Sequence, residues 1–203
     1  MPVIRTLLAE DMELVRGAIV ALLAYEEDIE VVAEVDRGDH ILEAARATKP
    51  DVAVIDLVMP GADGLEAARE LHDALPGCGV LILTAVGTPA MLKRALDARV
   101  RGFLAKDAPP AQLADAIRRV AAGGSVVDSS LAIAAMTTPE TPLTSRELDV
   151  LTAAADGSSV SEIAGSLFLA EGTVRNYLSR TRSKLSARSS IDAIRIARES
   201  GWI

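Results

Sequence analysis

The chain's 203 residues carry 21 Lys+Arg against 29 Asp+Glu, a net charge of −8, and half of them are hydrophobic. That composition excludes long disordered tails and general nucleic-acid binding; at about 150 residues per domain it allows one large domain or two small ones. One cysteine, Cys78, excludes an internal disulfide and a thiolate metal cage, and the absence of a long apolar run or leader pattern predicts a cytoplasmic protein with no membrane insertion.

The first 120 or so residues alternate short β-branched runs with amphipathic helical patterns. Ile4–Ala9, Glu30–Val35, Val52–Ile55, Val80–Thr84 and Gly102–Leu104 read as strands; 12–24, 39–47, 64–74, 89–98 and 110–121 read as helices. Thr88-Pro89 opens the fourth helix as a cap followed by proline at the first helical position. Such alternation implies a five-stranded parallel, doubly wound sheet with helices on both faces. Val52–Ile55 is apolar throughout, as a strand covered on both faces should be.

After Gly123-Gly124 the pattern changes. Residues 126–136 predict one more helix, and Thr137-Thr138-Pro139-Glu140-Thr141-Pro142 then breaks regular structure. Four helical patterns follow with no convincing strand: 144–155, 160–167, 171–185 and 189–199. Thr144 and Glu147 have capping-box spacing. The expected organisation is an α/β domain over 1–122, a linker with a helix over 123–141, and an all-α domain over 142–203.

Ligands of an open parallel sheet bind beyond the carboxyl ends of its strands. There the sequence places Glu10-Asp11, Asp56, Thr84 and Lys106. Carboxylates so close repel unless a cation neutralises them, and Mg²⁺ suits hard oxygen donors. Asp56 can then act as nucleophile toward a phosphoryl donor, with Thr84 and Lys106 contacting the phosphoryl oxygens. Taken singly, each residue is ordinary: an Asp after a strand caps a turn and a Lys is solvated. Together with the string Val-Ile-Asp-Leu-Val-Met-Pro-Gly-Ala-Asp-Gly around Asp56, they resemble the receiver domain of response regulators over roughly 3–121. The resemblance implies a flavodoxin-like, CheY-like fold and phosphorylation of Asp56 by a sensor histidine kinase. It also implies Mg²⁺ held by Glu10, Asp11, Asp56 and the backbone carbonyl of Val58, and a switch made of Thr84 and the aromatic Phe103. Phe103 has a plainer reading as core packing. In the same resemblance Val58 and Val86 flank the path of the water that hydrolyses the aspartyl phosphate, which implies slow self-dephosphorylation.

The net charge of −8 hides a local basic element: 172–203 hold 7 basic and 2 acidic residues. In helix 171–185, Val174, Leu178, Thr181 and Leu185 form an inward stripe, and Arg175, Asn176, Ser179, Arg182 and Ser183 form a polar, basic face suited to a major groove. With 160–167 and the turn at 168–170 this makes a helix-turn-helix. On charge alone, a solvated surface is the commoner explanation. The wider pattern Leu143-Thr144-x-Arg146-Glu147, Glu162-Ile163-Ala164, Thr173-Val174-Arg175 and Lys184-Leu185 resembles the NarL/FixJ (LuxR-type) DNA-binding domain. Arg175 and Tyr177 depart from the usual Lys and His, so the family's operator consensus does not carry over. The resemblance implies DNA contacts from Thr173, Arg175, Asn176, Ser179, Arg180 and Arg182.

The leading expectation is therefore a transcriptional response regulator. Phosphorylation promotes homodimerisation and binding to paired half-sites in double-stranded DNA, with RNA polymerase open as a further partner. Its chemistry is confined to its own phosphotransfer and slow dephosphorylation, so it is not expected to act as an enzyme on other substrates. A phosphohydrolase with an aspartyl-phosphate intermediate would need a general acid close to the nucleophile, often two residues on, and Val58 stands there. A ligand-sensing transcription factor fits poorly with the acidic rim, and a phosphorylation-independent receiver fits poorly with intact Asp56, Thr84 and Lys106.

Overall fold

The computed structural model describes every residue except Met1, Val86, Thr138 and Pro139, and only the backbone of Thr137. Val86, which the sequence places beside the hydrolytic water, thus lies outside the described residues. The chain divides into two compact units, the first built on Met1–Gly87 and Leu92–Ser129 and the second mainly on Ser130–Ile203.

In the first unit β1 (Ile4–Ala9), β2 (Ile29–Val35), β3 (Val52–Asp56), β4 (Gly79–Thr84) and β5 (Gly102–Ala105) form one sheet in the order β2-β1-β3-β4-β5. Every pair is parallel. The connections are α1 (Glu13–Leu23), α2 (Ile41–Thr48), α3 (Gly64–Ala74) and α4 (Pro89–Asp97), and α5 (Pro110–Ala121) follows β5. All residues of β3 and β4 are buried, which is why their sequences are apolar runs and not alternations. On one face Leu8, Val54, Leu81 and Leu83 pack with Leu113, Ile117 and Val120 of α5 and Leu23 of α1. Thr88 caps α4 as expected, its hydroxyl accepting from the Met91 amide at 3.2 Å.

Two helices start two or more residues later than the sequence predicts. The pattern at 39–47 resolves into a 3-10 turn, Gly38–His40, followed by α2. The helix expected from 126 begins at Ser129 as α6 (Ser129–Thr137), because Val126 is used by the sheet. Val126 forms an isolated parallel bridge with Gly102, in which the Phe103 amide donates to the Val126 carbonyl at 2.8 Å and the Val126 amide donates to the Arg101 carbonyl at 2.9 Å. A β-branched Val126-Val127 pair suits that extended role better than a helix start.

The second unit has α7 (Ser145–Ala155), α8 (Val160–Ser166), α9 (Glu171–Lys184) and α10 (Ser190–Glu199), and no strand among its described residues. Its core joins Leu143, Leu148 and Leu151 to Ala193 and Ala197, with Leu185, Trp202 and Ile203 packed alongside. No helix among the described residues is long and apolar enough to cross a membrane.

Candidate functional site: an acidic pocket and a basic helix

The parallel register brings the carboxyl ends of β1, β3, β4 and β5 to one rim, so residues from four distant stretches of chain meet there. Carboxylate oxygens of Glu10, Asp11 and Asp56 all lie within 4.8 Å of one another. Lys106, one residue past β5, places Nζ 2.7 Å from Glu10 Oε2 and 3.0 Å from Asp56 Oδ2. Its backbone amide donates to the Thr84 carbonyl at 2.7 Å, continuing the β4–β5 ladder and fixing where the side chain starts. Thr84 is buried at the end of β4, and Phe103 is buried within β5. Val58 is half-buried, with its amide 3.5 Å from Asp56 Oδ1. The chain after Asp56 is held close by Gly64, where a Cβ would meet the Asp56 carbonyl oxygen at 2.3 Å.

Burial raises the Asp56 carboxyl to about 6, against the pull of the Lys106 ammonium and with the Glu10 charge adding to the rise. Burial alone would lower Lys106, but its bonds to Glu10 and Asp56 outweigh that and hold it above the ordinary lysine value. Three clustered carboxylates facing one ammonium leave an excess of negative charge on hard oxygen donors, a set that fits Mg²⁺.

In the second unit, α7 and α8 both begin with complete capping boxes, Thr144–Glu147 and Ser159–Glu162. The second is also legible in the sequence, as Ser-x-x-Glu before an apolar run. Val174 and Thr181 of α9 are fully buried and Leu178 and Leu185 half-buried, which confirms the inward stripe. Arg175, Asn176, Ser179, Arg180 and Arg182 are exposed, and Thr173 is half-buried at the edge of that face. Arg175 is braced along the helix by Glu171, with Nη2 donating to Oε2 at 2.6 Å. Lys184 Nζ donates to Glu147 Oε2 at 2.6 Å, and the same oxygen accepts the Thr144 amide at 2.7 Å. One buried carboxylate therefore caps α7 and clamps it to α9, a role that capping-box spacing alone does not reveal.

Residues 6–118 match the model of the response regulator receiver domain, and 141–197 match that of the luxR family of bacterial regulatory proteins. The chain is 41% identical over 195 residues to the transcriptional regulatory protein DesR of Bacillus subtilis (strain 168), covering 96% of each chain. It is 34% identical over 191 residues to the DNA-binding transcriptional activator DevR/DosR of Mycobacterium tuberculosis (strain ATCC 25618 / H37Rv), covering 90% of this chain and 88% of that one. Among solved structures it resembles the response regulator ChrA of a heme-sensing two-component system, with 35% identity, a TM-score of 0.58 and full coverage of both chains.

Proposed function

The chain belongs to the family of transcriptional response regulators that join a receiver domain to a LuxR-type DNA-binding domain, and from that premise we propose that Asp56 accepts a phosphoryl group from a sensor histidine kinase. The observation that carries this reading is Lys106 joining Glu10 and Asp56 at the carboxyl end of a parallel sheet. An Asp56 carboxylate oxygen attacks the phosphorus of a phosphohistidine; the new O–P bond forms as the P–N bond breaks, and the electron pair leaves with the imidazole. Glu10, Asp11, Asp56 and the Val58 carbonyl would hold Mg²⁺, which when bound supplies positive charge for the phosphoryl oxygens. Lys106 gives up its bond to Asp56 and meets the transferred oxygens.

Thr84 and Phe103 then serve as the switch. Both are buried, on adjacent strands, so a hydroxyl drawn toward a new anion vacates space that an aromatic ring can fill. Phosphorylation shifts the population toward a homodimer, and paired α9 helices bind half-sites in double-stranded DNA through Arg175, Asn176, Ser179, Arg180, Arg182 and Thr173. A cytoplasmic site of action and contact with RNA polymerase complete this reading. Incubation with acetyl phosphate and Mg²⁺ tests it: one phosphoryl group is expected on Asp56 and none on Asp56→Asn. A phosphoryl group mapped elsewhere would overturn it.

A further inference from the structure

Arg16 of α1 takes no part in the chemistry above, yet its side chain is mostly buried beside the pocket. Nη1 donates to the Glu10 backbone carbonyl at 2.7 Å, and Nε lies 3.7 Å from Glu34 Oε2 on β2. Glu10 stands one residue past β1. Its amide still pairs with the sheet, donating to the Val35 carbonyl at 3.0 Å, and Arg16 takes up its carbonyl beyond the end of the strand. The backbone of Glu10 is therefore held on both sides, by a ladder bond at its amide and by the guanidinium at its carbonyl, and that carbonyl belongs to the peptide that joins the two pocket carboxylates. The next contact is softer: the Met12 amide lies 3.4 Å from Glu10 Oε1.

We infer that Arg16 is a positioning residue for the acidic pocket: its fork, anchored on Glu34, locks the Glu10-Asp11 peptide so that the two carboxylates converge with Asp56 on one cation. A guanidinium suits the task because its donors are rigidly spaced and one reaches the carbonyl while another faces the carboxylate. A lysine ammonium at the end of a flexible stem keeps the charge but not the two-point hold. The inference rests on the pocket being a divalent-cation site, as proposed above.

The test is Mg²⁺ affinity, read from amide NMR shifts of the intact chain, beside the rate of adduct formation with acetyl phosphate at saturating Mg²⁺. Arg16→Ala should weaken Mg²⁺ binding about tenfold and leave the saturated rate within about twofold, as expected for groups that orient metal ligands without touching the metal. Arg16→Lys should recover only part of the affinity, and Glu34→Gln should shift it in the same direction by less. Asp11→Ala is the control on the pocket itself. If Asp11→Ala loses affinity while Arg16→Ala retains it, the inference fails and the pocket reading stands. Full recovery by Arg16→Lys would also overturn it, since charge alone would then explain the effect. Should neither Asp11→Ala nor Arg16→Ala change Mg²⁺ binding, the pocket reading falls and the inference with it.

Discussion

Lys106 Nζ lies 3.0 Å from Asp56 Oδ2, so the proposed nucleophile and the cation that would stabilise its product are already bonded to each other. The same ammonium would compete with a divalent ion for the carboxylates it holds. Lys106→Met should therefore bind Mg²⁺ at least as tightly as the wild type, while forming the acetyl-phosphate adduct about 10²-fold more slowly, the usual effect of removing one donor to developing charge. Parallel metal titration and adduct kinetics separate the two effects. Loss of Mg²⁺ binding would mean that Lys106 organises the pocket instead of competing for it.

On the proposed reading, the exposed face of α9 should divide by role. Arg175→Ala should cost about 1–3 kcal/mol of binding and relax specificity at one base position. If Arg182 meets a phosphate, Arg182→Ala should weaken all sequences alike and reduce the salt slope by about 1. Because Glu171 braces Arg175 at 2.6 Å, Glu171→Ala should change sequence preference more than it changes the salt slope. Fluorescence anisotropy across salt concentrations and operator variants checks all three, and unchanged binding in both arginine variants would place recognition on another helix.

Glu147 links the pH dependence of the DNA-binding unit to its fold. Burial alone would raise this carboxyl, but the Lys184 ammonium and the Thr144 amide outweigh burial and hold it below the usual glutamate value. A depressed folded value contributes stability that is present above the unfolded value of 4.5 and is lost as pH falls through the folded one. Glu147→Gln should lower stability by about 1–3 kcal/mol at neutral pH, through loss of the clamp and weakening of the cap. Thermal melts from neutral to acid pH should show the wild type and the variant converging as pH drops below the ordinary carboxylate range.

The lifetime of a phosphoryl group on Asp56 should depend on what stands beside it. Val58 is half-buried there and has no side-chain group to orient a water. Val58→Asn should accelerate loss of the phosphoryl group, and decay of radiolabelled protein measures it. An unchanged half-life would remove Val58 from the water's path.

Much of this site is legible in the sequence because parallel strands end together: once five apolar runs are recognised, Glu10, Asp11, Asp56, Thr84 and Lys106 must share a rim. The inward stripe of α9 is legible for the same kind of reason, since Val174 and Thr181 recur with helical spacing. Contacts made through backbone atoms leave no such trace. Arg16 acts on the carbonyl of Glu10, an atom every residue has, so its spacing from any partner carries no signal. Lys184 and Glu147 lie 37 residues apart on different helices, and only the packing of α7 on α9 brings them together. Val126-Val127 is too short a run to separate helical from extended periodicity, and the pairing of Val126 with β5 decides between them.

The bridge at Val126 also determines how the sheet ends. β5 is a terminal strand, and terminal strands offer unpaired amides and carbonyls that recruit foreign strands. By taking up the Phe103 amide and the Arg101 carbonyl, Val126 blunts that border with a single residue of the chain's own. A receiver fragment cut at 122 would lose the blunting and present a sticky border, whereas a fragment carried to Ser129 would keep it. Residues 123–129 should thus also guard against aggregation, and the useful place to divide this protein lies beyond the last residue of α5.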